Sequence, residues 1–163
     1  MRYNKIRKMD IADGPGVRVS IFMQGCTFNC KNCFNPETHD FNGGKEFTQE
    51  TIDRVLELCG NENIEGLSIL GGEPMNPKNI EGTTKLAKAF KEKFPNKNLW
   101  AWSGFSFDKE LKDKEVVKYL DVLVDGQYID ELHNPTLQWK GSENQRVIDV
   151  QESLKNNKVV LAN

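Results

Sequence analysis

Long apolar runs, basic clusters and histidines are scarce in this sequence. No apolar stretch approaches the ~20 residues that cross a bilayer, and the first ten residues are too polar for a signal peptide, so we expect neither a membrane span nor secretion. The net charge of -2 and the lack of a dense basic run argue against nucleic acid as the main partner. His39 and His133 have no partner at metal spacing and are expected at the surface. We therefore expect a cytoplasmic protein whose partners are proteins or small molecules.

Three of the four cysteines, Cys26, Cys30 and Cys33, lie within eight residues. Thiolates so close on one loop can face a single iron-sulfur cluster, and three ligands would leave one of four irons open to a substrate. Zinc usually takes four ligands from two paired units, and no second pair exists here. Zinc, a disulfide loop and chance remain alternatives, although a reducing compartment disfavours the disulfide. Cys59 falls on the apolar stripe of a predicted helix and is expected in the core.

The predicted elements alternate between strand and helix along one chain of 163 residues. Apolar runs predict strands at 17–23, 66–70, 99–102, 122–124 and 158–161, and helices at 48–58, 76–94 and, more weakly, 108–118. The strand-helix units repeat at about the thirty residues that a right-handed crossover needs. The sequence therefore predicts an α/β fold in a single domain, residues 1–163, with a partial, open (β/α) barrel and a mostly parallel sheet.

A second chemical feature, Gly71-Gly72-Glu73-Pro74, follows a predicted strand. The glycines let backbone groups approach a ligand closely, and the carboxylate of Glu73 can receive an ammonium group. The same composition is common in turns, so this feature indicates little without the cysteines. Ser103 and Asp125 also end predicted strands, which would place them at the same edge of a parallel sheet.

The Cys-x3-Cys-x2-Cys spacing is the signature of the radical S-adenosylmethionine enzymes, and with Gly-Gly-Glu after the next strand the sequence resembles that superfamily. Within it, the chain is similar to the family of anaerobic ribonucleoside-triphosphate reductase activases, from about residue 3 to about residue 148. The segments that carry this resemblance are Asp13-Gly14-Pro15-Gly16-Val17-Arg18, Gly25-Cys26, Cys33-Phe34-Asn35, Gly71-Gly72-Glu73-Pro74 and Gly141-Ser142-Glu143-Asn144-Gln145-Arg146.

The resemblance implies a shortened radical SAM barrel and one [4Fe-4S] cluster held by Cys26, Cys30 and Cys33, with an open iron for the amino and carboxylate groups of S-adenosylmethionine. It implies that reductive cleavage gives a 5'-deoxyadenosyl radical, which takes a hydrogen atom from a glycine of the large reductase subunit. A flavodoxin-like or other one-electron donor would supply the electron. The cofactor-binding residues that it suggests are Asn32, Cys33 and Phe34 beside the nucleoside, Gly72 and Glu73 at the methionyl amine, and Ser103 and Asp125 at the methionyl or ribose groups.

Other functions stay open on the sequence alone. Within radical enzymes, the alternatives are an activase of another glycyl-radical enzyme of the formate-lyase type and a small-molecule radical enzyme. Outside them, the alternatives are a zinc-stabilised binding module and a non-catalytic iron-sulfur electron carrier. A short chain has few residues left for a lid, so we expect the reductase to complete the shield. Its glycine loop is expected to enter near Cys33, Gly72 and residues 141–146.

Overall fold

A computed structural model describes residues 1–162, which fold around one seven-stranded sheet with the strand order β3-β1-β2-β4-β5-β6-β7. The strands are β1 (Arg2–Asp10), β2 (Arg18–Gln24), β3 (Lys45–Glu46), β4 (Gly66–Gly71), β5 (Asn98–Ser103), β6 (Val122–Asp125) and β7 (Arg146–Asp149). The α-helices are α1 (Gln49–Cys59), α2 (Ile80–Lys93) and α3 (Val150–Asn156). The predicted α/β architecture with an open sheet is therefore present.

The sheet is mixed, which corrects the expectation of a mostly parallel one. The pairs β2-β4, β4-β5 and β5-β6 are parallel, whereas β1-β2, β1-β3 and β6-β7 are antiparallel. The four central strands are those that the apolar runs predicted. The antiparallel β1 was not predicted, because Lys5, Arg7 and Lys8 give it the charged composition typical of an edge region rather than an apolar run.

The helices agree with the sequence in part. α1 begins after Thr48 and ends before Gly60, as the capping residues indicated. α2 begins at Ile80, and not at Asn76, because the side chain of Asn76 accepts a hydrogen bond from the Lys78 amide and holds a turn there instead. The predicted helix at 108–118 is a π-helix, Phe107–Leu111, followed by a 3-10 helix, Glu115–Tyr119. At the C-terminus, α3 was missed, and the predicted strand at 158–161 is reduced to a single bridge between Ile148 and Leu161.

The two faces of the sheet have different roles. The main core lies between the sheet and the helices, where Ile21, Ile69 and Phe90 are among the fully buried side chains. On the opposite face, Phe22 of β2 and Trp102 of β5, two strands that flank β4, line an open cavity. No helix within residues 1–162 is long and apolar enough to cross a membrane. The helix face therefore stabilises the sheet, and the opposite face is left for a ligand.

Candidate functional site

The cysteine loop begins where β2 ends. Gly25 has a φ of 107°, and a side chain there would overlap the ring of Phe41, so only glycine makes this turn without displacing its neighbours. The Gly25 amide donates to the Thr38 carbonyl at 2.6 Å, which fixes the start of the loop. Asn29 and Asn32 both adopt left-handed conformations, which asparagine tolerates better than most residues. These bends let one short loop carry three thiols without regular secondary structure.

The three clustered cysteines line one cavity of about 560 Å³, whereas the fourth lies elsewhere. Cys26, Cys30 and Cys33 are partly exposed and form no disulfide, and Cys59 is fully buried in the core, as predicted. Burial raises the pKa of Cys59 to about 12, so it stays a neutral thiol at physiological pH. Burial also raises the pKa of Cys26 and Cys33, so a metal must displace their protons when it binds.

The spacing of the thiols bears on which metal they fit. Within residues 1–162, no three His, Cys, Asp or Glu side chains converge closely enough to hold a single metal ion. Tetrahedral zinc with bonds of about 2.3 Å would bring its sulfur ligands to about 3.8 Å from one another. Cysteines that bind different irons of one cluster have no such requirement, because the cluster itself lies between them. The three thiols are therefore not arranged as a preformed site for a single zinc ion.

The segment from Gly71 to Glu73 packs directly against the cysteine loop. The Gly72 amide donates to the Met23 carbonyl at 3.0 Å, and the Glu73 amide donates to the Gly25 carbonyl at 2.8 Å. A Cβ atom at Gly72 would lie 2.6 Å from the Gly25 carbonyl oxygen, so the close approach of the two backbones requires glycine. The two motifs predicted from the sequence are therefore joined by backbone hydrogen bonds.

The carboxylate of Glu73 is buried and bonded within the chain. Its Oε1 atom accepts from the Gly104 amide at 2.7 Å, and its Oε2 atom accepts from the Met75 amide at 2.9 Å and from Ser103 Oγ at 2.7 Å. Burial raises the pKa of Glu73 to about 7, against the opposing effect of these three donors. A carboxylate has about four acceptor positions, so one remains for a ligand. Glu73 and Ser103 both line the cavity, so the structure brings them together with the cysteines.

Asn79 was missed by the sequence analysis, although it connects the two motifs. It is buried, and its side-chain amide donates to the Glu73 carbonyl at 3.0 Å and to the Gln24 carbonyl at 3.2 Å. One side chain thus holds the end of β2 and the end of β4 in a fixed relation. Asn79 is the N-cap residue of α2, but its side chain forms no cap bond because it is used here.

Residues 126–145, which we call the cover segment, lie across the cavity from the cysteine loop. Phe34 packs against Tyr128 with ring centroids 5.0 Å apart. Asp130 accepts a hydrogen bond from Asn32 Nδ2 through one oxygen and from the Tyr128 hydroxyl through the other, each at 3.0 Å. Phe34 lines the cavity, whereas Asn32 does not, since its side chain is turned towards Asp130. The cysteine loop and the cover segment are therefore fastened together at one point.

The cover segment also contributes cavity residues that the sequence analysis did not identify. Its Trp139 carbonyl accepts from Trp102 Nε1 at 2.7 Å, and the segment is closed at its base by Gln145, which donates to the Gly126 carbonyl at 2.9 Å. His133 lines the cavity from the cover segment and is exposed, as expected, whereas His39 lines it from beyond the cysteine loop and is half-buried. In the sequence, only the aromatic residues that follow β6 could have indicated that the cover segment lines the cavity.

The structure does not bring Asp125 to the cavity. Its buried carboxylate accepts from Arg146 Nε at 3.0 Å, from Arg146 Nη2 at 2.6 Å and from the Phe107 amide at 2.7 Å. Arg146 also bonds Asp108 at 2.7 Å and holds the pKa of that exposed carboxyl at about 2. Asp125 and Arg146 therefore fasten β7 to β6 at the base of the cover segment, and Asp125 is not among the residues that line the cavity.

Known proteins resemble this chain over most of its length. The model of a family described as "4Fe-4S single cluster domain" matches residues 12–148. A Vibrio cholerae protein is 38% identical over 149 residues, which cover 89% of this chain and 96% of the relative. A protein of Enterobacteria phage T4 is 37% identical over 90% of this chain and 93% of its own length, and one of Escherichia coli K12 is 35% identical over 90% and 97%. All three are named anaerobic ribonucleoside-triphosphate reductase-activating protein.

Proposed function

This chain belongs to the family of anaerobic ribonucleoside-triphosphate reductase-activating proteins, and on that premise we propose that it generates a glycyl radical on such a reductase with a [4Fe-4S] cluster and S-adenosylmethionine. The observation that carries this proposal is the cavity shared by the three clustered thiols and the Gly72–Glu73 segment. An iron-sulfur electron carrier would need the thiols alone. A substrate cavity beside them is what an enzyme of this kind requires.

The residues present fit the cluster and its cofactor. Cys26, Cys30 and Cys33 would hold three irons, and Gly72 with the remaining acceptor position of Glu73 would receive the methionyl amine. When bound, the reduced cluster supplies the electron that cleaves the sulfonium of S-adenosylmethionine, which leaves methionine and a radical able to take a hydrogen atom from glycine. Phe34 would lie at the nucleoside. Asn32 and Asp125 act on this site indirectly, through the cover segment.

The four parallel strands support a finer description of the fold. We infer that β2, β4, β5 and β6 form the shortened, open barrel of a radical SAM enzyme, with antiparallel strands added at both edges. The loops that follow β2 and β4 carry the cysteines and Glu73, and Ser103 is the last residue of β5, so these residues lie at the carboxyl ends of parallel strands. Ligand sites of α/β sheets lie at this edge for a topological reason, because the loops of successive strands meet there.

Exclusion of water is the main task left to the protein. The sheet wall of the cavity is apolar at Phe22, Leu70 and Val124, and Trp102 adds an aromatic ring that is fixed by its bond to the cover segment. A reactive radical needs such a wall, since water and stray hydrogen donors would quench it. The cover segment therefore provides part of the shield that the sequence analysis assigned to the partner. The remaining opening would be filled by the glycine loop of the reductase, near Cys33, Gly72 and residues 141–146.

An anaerobic reconstitution tests this function. The protein is loaded with iron and sulfide, reduced by dithionite or a flavodoxin-like donor, and incubated with S-adenosylmethionine and the reductase. Electron paramagnetic resonance should detect a glycyl radical with the reductase and none with a reductase variant whose radical glycine is changed to Ala, although both should bind. A radical on a formate-lyase instead would reassign the target. Cofactor cleavage with no protein radical on either would indicate a small-molecule radical enzyme.

A further inference from the structure

Large apolar side chains stay exposed at only a few places within residues 1–162. They are Met9 and Ile11, then Phe34, Ile129 and Leu132, and finally Leu154 and Leu161. The first two, here called the lower pair, lie close in sequence to three residues that line the cavity, Arg7 on β1 and Ala12 and Asp13 in the turn between β1 and β2. The next three are here called the upper trio. Phe34, on the cysteine loop, lines the cavity, and Ile129 and Leu132, on the cover segment, are adjacent in sequence to residues that line it. Exposed apolar groups thus concentrate around the cavity.

The lower pair stands on a turn that is held from inside. Met9 and Ile11 are 76% and 77% exposed, and they flank Asp10, which is buried. Asp10 accepts a hydrogen bond from Ser20 Oγ on β2 at 2.6 Å and another from the Ala12 amide at 2.8 Å. The inward carboxylate fixes the turn, and the two apolar side chains on either side of it remain outside. A partner that buries these two side chains therefore loses little free energy in ordering the backbone of the turn.

The two exposed groups lie at opposite ends of β2. The turn that carries the lower pair precedes this strand, and the cysteine loop follows it. Seven residues at about 3.3 Å each separate the ends by about 20 Å. A standard protein interface of about 800 Å² per partner is about 30 Å across, so one docked protein can cover both groups and the cavity between them. A small molecule in the cavity would reach at most one.

We propose that the lower pair and the upper trio form the docking surface for the reductase, with the lower pair as an anchor distant from the radical chemistry. This inference rests on the proposed function, which requires a second protein to present a glycine to the cavity. A second copy of this chain would be the alternative occupant. Self-association over this face would close the cavity to the glycine loop, so the reductase is the occupant consistent with activation.

The experiment compares matched serine variants in binding to the reductase variant whose radical glycine is Ala. Met9→Ser with Ile11→Ser tests the lower pair, and Ile129→Ser with Leu132→Ser tests the upper trio without changing Phe34. Leu154→Ser is the control, since Leu154 is exposed on α3 and does not line the cavity. Affinity is measured anaerobically with S-adenosylmethionine present. Each double variant should bind about tenfold more weakly or worse, and the control within about twofold of the original protein.

Two further measurements separate the outcomes. With dithionite as the reductant and no reductase present, cofactor cleavage should be unchanged in all variants. Thermal unfolding should show that each variant folds. If the double variant of the lower pair does not fold, the single Met9→Ser and Ile11→Ser variants replace it. Unchanged reductase affinity in the lower-pair variants would overturn the docking surface while the function stands. Absence of reductase binding by the original protein would overturn the function and this inference with it. If sedimentation shows that the original protein is a dimer and the double variants are monomers, with unchanged affinity for the reductase, the surface would be assigned to self-association.

Discussion

The two ends of the parallel strands are built in opposite ways. At the lower end, Arg18 is fully buried and donates to Ser68 Oγ, to Asn98 Oδ1 and to the Leu67 carbonyl, so its guanidinium is satisfied by the chain itself. Burial lowers the pKa of Arg18 to about 10, and it remains charged at neutral pH. At the upper end, three thiols are partly exposed on a loop with two left-handed residues. The difference indicates that the lower end provides stability and the upper end provides ligands.

The largest expected effect lies at the upper end. Cys26→Ala, Cys30→Ala or Cys33→Ala should each abolish a stable four-iron cluster, since each removes the ligand of one iron. Cys59→Ala should keep the cluster and lose at most a few kcal/mol as a small truncation in the core. Iron and sulfide content after anaerobic reconstitution, with absorbance near 400 nm, measures this. If Cys59→Ala protein formed no cluster, Cys59 could not be a core thiol distinct from the three ligand thiols.

The lower end should respond in stability and not in ligand content. Arg18→Met leaves the acceptors Ser68, Asn98 and Leu67 without their donor in a buried place, and the free energy of unfolding should fall by about 3 kcal/mol. Arg54→Met is the control, because the exposed pair of Arg54 with Glu57 contributes about 0.5 kcal/mol or less. Denaturant unfolding measures both. Loss of iron binding by folded Arg18→Met protein would show that the two ends are not independent.

Glu73 tests how the upper end receives its cofactor. Glu73→Gln should weaken S-adenosylmethionine binding by about 1.5 to 3 kcal/mol, the range for a hydrogen bond to a charged group, and leave the iron content unchanged. Calorimetry on the cluster-loaded protein measures the affinity. Glu50→Gln is the matched control, since Glu50 is exposed on α1 and does not line the cavity. Equal affinity in the original and Glu73→Gln proteins would mean that the carboxylate serves only the loops that it bonds.

The pKa of Glu73 adds a pH dependence to the same measurement. Because that pKa is about 7 in the protein without ligand, the carboxylate gains protons as the pH falls below 7. A bound ammonium group stabilises the ionised form and lowers the pKa, so binding releases up to one proton below pH 7. Affinity should therefore rise with pH by up to about tenfold per unit and level off above about 7. Glu73→Gln should remove this dependence, and a flat profile in the original protein would contradict it.

The smallest effect is expected at the fastening between the cysteine loop and the cover segment. Asp130→Ala removes the hydrogen bonds to Asn32 and Tyr128, which are worth about 1 kcal/mol each at a partly exposed place. Hydrogen exchange of residues 126–145 should become faster, with little change in global stability. Glu131→Ala is the control, because Glu131 makes no side-chain hydrogen bond or ion pair within residues 1–162. Equal exchange in the two variants would show that the aromatic contacts alone hold the cover segment.

Local patterns in the sequence predicted the parts that depend on nearby residues. The spacing of Cys26, Cys30 and Cys33 and the glycines before Glu73 are short motifs whose chemistry is fixed by residue type, and the apolar runs marked the four parallel strands. The role of Asp125 could not be predicted, because it depends on Arg146, which lies 21 positions away in the sequence. The position of the cover segment beside the cavity was not predicted for the same reason. Its fastening depends on the contact of Asn32 with Asp130, 98 positions apart.

The most direct test of the account is whether the cofactor binds the cluster through an open iron beside Gly72 and Glu73. The reduced, cluster-loaded protein is examined by electron paramagnetic resonance and electron-nuclear double resonance, with S-adenosylmethionine labelled with ¹⁵N at the methionyl amine and ¹⁷O at the carboxylate. The account predicts a changed cluster spectrum and coupling to both labels, with weaker binding in Glu73→Gln. A cluster spectrum that is unaffected by saturating cofactor, with no coupling to either label, would contradict it.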